Sequence, residues 1–266
     1  MKFGMPTLVE CADIFECCDV ASKYGLDFIE INLSFPQYQP SNLSSDSLVS
    51  LAKKHNLFYT IHADEMLNPF DFNERVSECY FELMRENIAF AKAISARLIN
   101  IHLLCGVYVT LPDKRVLLND IYRNQYLTKV SRFIKMCEEE IGDSTLKISI
   151  ENVDSNNFTE SQIEALKLFM ASDVFYLTLD TGHEICLNFG DKHVFDTYSD
   201  KLCHLHLHDS NYKTCHLPLG VGALDLSAKL SQLKCGDTAL IEVKTIDGLA
   251  KSVEYLKEKN IWERGI

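Results

Sequence analysis

KISIE, residues 147–151, puts Lys147, Ser149 and Glu151 on one face and Ile148 and Ile150 on the other. Period-two alternation of this kind is the signature of a β-strand. This strand ends on a carboxylate. Moving outward, five more stretches repeat the pattern and end in a side chain that can bind a metal: FYTIH (58–62), LINIH (98–102), FYLTLD (175–180), LCHLH (202–206) and ALIE (239–242). Asp180 and Thr178 oppose Leu177 and Leu179, and His102 and Asn100 oppose Ile99 and Ile101. Six strands that finish in His, Asp or Glu imply that those ends meet in space. The chemistry that gathers such ends is a metal site.

Two further stretches, 2–6 and 28–33, complete a set of eight expected strands with 58–63, 98–103, 147–152, 175–180, 202–209 and 239–244. Helical stretches lie between them at 10–24, 44–55, 73–95, 123–141, 159–171, 192–198, 225–233 and 248–259. Ser44 and Thr159 are N-cap residues, and Thr159 stands three residues ahead of Gln162 in capping-box spacing. Alternating β and α elements argue for a parallel sheet, and eight units in 266 residues match a (β/α)₈ TIM barrel. A doubly wound open sheet is buried on both faces, so its strands read as continuous apolar runs. These strands keep a polar face, which a barrel lumen accommodates. With no linker, low-complexity tract or composition break, one α/β domain over residues 1–266 is expected.

Composition narrows the function classes. Hydrophobic residues make up 47% of the chain, enough for a large core. No apolar run approaches the roughly 18 residues of a membrane span, and MKFGMPTLVECAD lacks the apolar region of a secretory signal. The ten cysteines are scattered without a CxxC pair, so they read as reduced thiols of a cytoplasmic protein. A net charge of −12 argues against a nucleic-acid partner, because phosphate binding needs a basic surface. A homo-oligomer stays open.

Glu151, Asp180, His206 and Glu242 end the fifth to eighth strands. Three carboxylates and one imidazole make a hard site suited to Mn²⁺, Mg²⁺ or Co²⁺ and tolerable for Zn²⁺. Such a metal stabilises the ene-diolate formed when a carbon-bound proton leaves, while flanking carboxylates act as acid and base. His62, His102, His183 and His216 form a second set, able to hold further ions or to hydrogen-bond a substrate. His62 and His102 lie on adjacent strands, about 5 Å apart, close enough to share a second ion bridged through Glu151. His204 and His208 share the face of His206 a pleat below and above it, and read as lumen-filling or substrate-contacting. Glu30 and Asn32 face the same lumen as candidate substrate contacts, and Cys105 and Cys215 sit near the mouth as ordinary thiols. The longer connections, 62–73, 104–122, 152–158 and 210–222, follow the ligand-bearing ends, where a barrel builds its site.

In order, GLDFIEI, TIHA, INIHL, ISIENVD, LTLDTGHEI, HLHLHDSN, HLPLGVGALDL and ALIEVK resemble the xylose-isomerase-like TIM barrel superfamily, from about the second strand to the eighth. That group includes sugar and sugar-phosphate isomerases and epimerases and the endonuclease IV repair enzymes. The resemblance to ketose 3-epimerases implies a divalent ion on Glu151, Asp180, His206 and Glu242. It also implies that the two glutamates exchange the substrate proton and that His183 contacts substrate. Tyr212, however, stands where those epimerases have an arginine. The resemblance to endonuclease IV implies zinc ligands at those four positions and at His62, His102, His183 and His216, but Thr214 replaces the remaining aspartate. Its Arg- and Gly-rich DNA-binding loops have no match in TLVECAD or SFPQYQPSN.

The expectation is a metal-dependent isomerase or epimerase of a small sugar, polyol or sugar phosphate. Glu151 and Glu242 are its acid/base pair, and His62, His102, His183, His216 and Asn32 contact substrate. The alternatives are an inosose-type dehydratase and a zinc phosphodiesterase acting on abasic DNA.

Overall fold

A strand with a buried polar face needs polar partners on its neighbours, and the strands supply them by closing on themselves. The computed structural model describes residues 1–262 except Cys235, so that cysteine lies outside the described residues. Eight parallel strands form a closed barrel: β1 (Lys2–Pro6), β2 (Phe28–Asn32), β3 (Phe58–His62), β4 (Leu98–His102), β7 (Lys147–Glu151), β8 (Phe175–Asp180), β9 (Leu202–Leu207) and β10 (Thr238–Ile241). β10 pairs with β1 through Lys2↔Thr238 and closes the ring. A short antiparallel hairpin, β5 (Tyr108–Thr110) and β6 (Arg115–Leu117), rises from the loop after β4.

Helices cover the outside: α1 (Ile14–Tyr24), α2 (Ser45–His55), α3 (Glu74–Ala93), α4 (Leu118–Ile121), α5 (Arg123–Ile141), α6 (Glu160–Met170), α7 (Thr181–Cys186), α8 (Lys192–Thr197), α9 (Leu226–Leu230) and α10 (Ile246–Glu258). Caps fix their starts. Thr159 and Gln162 close a reciprocal capping box on α6, as their spacing predicts. Asp13 caps α1, so this helix begins at Ile14, four residues later than expected. Gly25 ends it at φ 72°, a left-handed conformation that glycine adopts without strain. Among the described residues, no helix is long and apolar enough to cross a membrane.

The alternation sorts the strand faces. Ile148, Ile150, Leu177, Leu179, Leu205 and Leu207 point outward and are completely buried beneath the helices. An aromatic cluster fills the layer under α5 and α6, with Phe169 and Phe175 at 4.8 Å between ring centroids. Inside, Thr178 donates to Ser149 Oγ at 2.7 Å, Ser149 to Asn100 Oδ1 at 3.0 Å, and the Asn100 amide to Glu151. Buried polar groups are tolerated when hydrogen-bonded, and this ladder explains how the lumen accommodates a polar face.

Several expected bounds shift. The strand expected at 202–209 ends at Leu207, and that at 239–244 runs from Thr238 to Ile241. Glu242 thus lies one residue beyond β10, yet its N–H still donates to the Leu207 carbonyl at 2.9 Å. The helix expected at 225–233 shortens to α9. The hairpin β5–β6 and the helices α4 and α7 were not among the expected elements, since each is a turn or two built inside a loop.

Candidate metal centre and its pocket

Asp180 shows how the local fold builds the site. It ends β8 and caps α7 at once: its Oδ1 accepts the His183 N–H at 2.7 Å, which turns the chain inward at DTGH. Parallel registry sets Asp180 opposite His206 and His102 opposite Glu151. The ligand atoms of Glu151, Asp180, His206 and Glu242 all lie within 4.8 Å of one another, and all four residues are buried. His206 Nδ1 is 3.0 Å from Glu242 Oε2, 3.2 Å from Glu151 Oε1 and 3.9 Å from Asp180 Oδ2.

The electrostatics follow from this crowding. Burial alone would raise the Glu151 carboxyl, but the His206 and His102 imidazoles override it and hold it well below the usual range. Burial likewise opposes ionisation of Glu242, and Lys244 and His206 push it well below. Burial would lower His206, yet Glu151, Glu242 and Glu30 raise it well above an ordinary imidazole. Buried charges are costly unless paired or metal-bound.

The donor set fits a divalent ion. Among the described residues, His206 Nδ1 and Nε2 and Glu242 Oε2 are buried without a hydrogen-bond partner. Three carboxylate oxygens and an imidazole nitrogen around one point satisfy a hard cation.

A second cluster joins His62, His102 and Glu151. His62 Nδ1–H donates to the Ala63 carbonyl at 2.7 Å, which leaves Nε2 bare and 3.5 Å from Glu151 Oε2. His102 Nε2 approaches the same oxygen at 3.4 Å. His183 Nδ1–H donates to the Asn152 carbonyl at 3.0 Å, and His216 Nε2 sits 3.6 Å from Glu242 Oε1. The structure therefore gathers His62, His102, His183 and His216 around the four-residue set. Asn32 donates to Glu65 Oε1 at 3.4 Å and lines a cavity of about 300 Å³ with Thr7, Phe35, His62, Glu242 and Lys244. That volume holds a monosaccharide. A larger cavity of about 630 Å³ opens at the opposite end of the barrel, beside Arg97, Lys147 and Thr238. None of the four candidate ligands lines it, so volume alone misplaces the site.

Three residues near the set carry interactions that the sequence reading did not assign. His208, expected as lumen-filling or substrate-contacting, is fully buried. Its Nδ1 accepts the His216 N–H at 2.7 Å, so the ring proton is on Nε2 and is donated to Asp180 at 2.9 Å. A side chain on Gly182 would collide with that ring, which explains the glycine of DTGH. Glu30 is 1% exposed, meets His206 and His204, and lines the same cavity as Asn32. Lys244, half-exposed, pairs with Glu242 Oε1 at 2.7 Å. Cys215 brings its sulfur into contact with that of Cys186, because α7 and the 210–222 loop converge at the mouth. Cys105 is a free thiol.

Similar sequences and similar folds occur in other proteins. An uncharacterized protein of Methanocaldococcus jannaschii, MJ1614, is 29% identical over 97% of this chain and 99% of its own. A D-tagatose 3-epimerase-like protein superposes with a TM-score of 0.77 at 24% identity, covering both chains fully. The 3-keto-D-glucoside 4-epimerase YcjR of E. coli gives 0.73 at 16% identity over 98% of this chain and 99% of its own. An IolI protein with a bound zinc atom gives 0.73 at 17% identity, over 98% and 97%. These structural likenesses bear on the fold. The family described as xylose isomerase-like TIM barrel matches residues 18–259, most of the length, and the chain belongs to that family.

Proposed function

We propose that the protein is a divalent-metal-dependent isomerase or epimerase of a small sugar, polyol or sugar phosphate. The observation that carries this reading is the pair of buried glutamates, Glu151 and Glu242, on two sides of His206 Nδ1 beside a monosaccharide-sized cavity. Glu151, Asp180, His206 and Glu242 hold the ion, with Mn²⁺, Mg²⁺, Co²⁺ and Zn²⁺ all compatible with the donors. The bound ion supplies positive charge that stabilises an oxyanion next to the carbon losing its proton.

The chain's own residues do the rest. One glutamate removes the carbon-bound proton and the other returns a proton from the opposite side. Their neighbours favour the ionised form of both carboxyls, so either can start as the base, and the one that returns a proton first takes it up from water. His183, whose Nδ1–H is committed to the Asn152 carbonyl, offers Nε2 to a substrate hydroxyl. Asn32, His62, His102 and His216 line the approach. His62, His102 and Glu151 would hold a second ion. Proteins of the same fold include a D-tagatose 3-epimerase-like protein, a D-allulose 3-epimerase and an L-ribulose 3-epimerase, which supports a carbohydrate substrate. The charge of −12 and Thr214 at a ligand position count against phosphodiester cleavage at abasic DNA.

The test is a panel. Metal-loaded protein, containing about one tightly bound ion per chain by elemental analysis, should interconvert at least one sugar or sugar phosphate. Chelator treatment should abolish that activity, and abasic plasmid DNA should remain intact. Metal-loaded protein without sugar turnover, but with strand cleavage, would replace this reading.

A further inference from the structure

We propose that Glu30 is a positioning residue for the metal centre: its carboxylate, 3.1 Å from His206 Nε2, holds the ring proton on that nitrogen by charge and so leaves the Nδ1 lone pair facing Glu151, Asp180 and Glu242. This rests on the metal reading of that four-residue set.

The geometry assigns the two ring nitrogens. Nδ1 lies 3.0–3.2 Å from the two glutamate ligands, and Nε2 lies 3.1 Å from Glu30 Oε1. An imidazole that binds a metal through one nitrogen keeps a proton on the other, and that proton is usually given to a carboxylate or carbonyl. Glu30 comes from β2, across the lumen from β9, so no local feature of HLHLH supplies this partner.

The rest of Glu30 is already committed. Thr60 Oγ1–H donates to Oε2 at 2.8 Å, and His204 Nε2 stands 3.4 Å from the same oxygen. His204 is itself tied to Thr238 Oγ1 at 2.5 Å. That leaves Oε1 for His206. A carboxylate this buried costs several kcal/mol unless partnered, and among the described residues the ionisable side chains beside it are His204 and His206.

Glu30, His204 and His206 are also close enough to chelate an ion themselves. That use would need Nε2 as the ligand atom, and the proton would move to Nδ1, facing Glu151 and Glu242. The two uses exclude each other, and the four-donor set offers three carboxylates against one.

The test needs no substrate. Co²⁺ is titrated into chelator-stripped wild type, Glu30→Gln, Glu30→Ala, His206→Gln and the Glu30→Gln/His206→Gln double variant, following the visible absorption of the bound ion. Glu30→Gln and Glu30→Ala should weaken Co²⁺ binding by about 10–100-fold, with stoichiometry retained and shifted bands. Against His206→Gln, the Glu30→Gln change should add little, because the two act through one interaction. Glu30→Gln is isosteric and carries the test if the alanine variant fails to fold. Unchanged affinity, a loss that persists undiminished without His206, or a lost equivalent of metal would each overturn the proposal. Wild type that binds no Co²⁺ would instead remove the metal reading, and this inference with it.

Discussion

Glu242→Gln should lower turnover by about 10²–10⁴-fold, the usual contribution of a positioned acid or base. The glutamine keeps one carbonyl oxygen for the ion but cannot accept a proton from carbon. Glu151, Asp180 and His206 remain, so the variant should still bind metal, more weakly. Lys244, which pairs with Glu242 at 2.7 Å, loses its counter-charge in the variant, so part of any change in metal affinity belongs to that ammonium. Kinetics at saturating metal separate the two effects. A rate near wild type under those conditions would take Glu242 out of the mechanism.

The second large effect is in the pH dependence of stability. Burial disfavours the charge on His62, but the neighbouring Glu151 carboxylate overcomes it and its pKa rises to about 9. His206 and His183 are raised in the same way by the surrounding carboxylates. A group whose folded-state pKa is raised contributes stability that is fully present below its unfolded value, about 6.5 for histidine. That stability is lost as pH climbs through the folded value. The carboxyls of Glu151, Glu242 and Glu30 are depressed, so their contribution is present above the unfolded value near 4.3 and falls away in acid. The metal-free protein should therefore be most stable between about pH 5 and 6.5 and soften toward pH 9 as the imidazolium charges vanish among facing carboxylates.

Metal binding reverses the alkaline loss, because a ligating imidazole must be unprotonated and the ion replaces its charge. With metal at about a hundred times its Kd, stability rises by about 2.7 kcal/mol, or about 5 °C in Tm for a chain this size. Thermal melts with and without Co²⁺ at pH 5.5, 7 and 8.5 should show that increment growing with pH. A metal-induced shift that is constant or shrinks as pH rises would contradict the assignment of His206 as a ligand.

The barrel was legible because the signal for each strand is local. Alternation in KISIE or FYLTLD needs no knowledge of neighbours, and a polar inner face excludes an open sheet covered on both sides. The cluster of Glu151, Asp180, His206 and Glu242 was legible for the same reason: each lies at or beside the end of its own strand. Partners were not. Whether His208 meets substrate or Asp180 depends on the stagger between β8 and β9 and on the return of the 210–222 loop, and neither is written in HLHLHDS. Glu30 sits well over a hundred residues from His206, and only barrel closure brings β2 within reach of β9. The Cys186–Cys215 contact was hidden likewise, since it needs α7, a six-residue helix inside a loop with too few residues to show a period.

The most direct test of the account is the reaction run in D₂O with the sugar or sugar phosphate that the panel identifies. The proton returned to carbon comes from a glutamate that exchanges with solvent. Deuterium should therefore enter a carbon next to the carbonyl at a rate equal to or above net product formation, as read by NMR or mass spectrometry. Product formed with no deuterium on carbon would contradict proton transfer through Glu151 and Glu242.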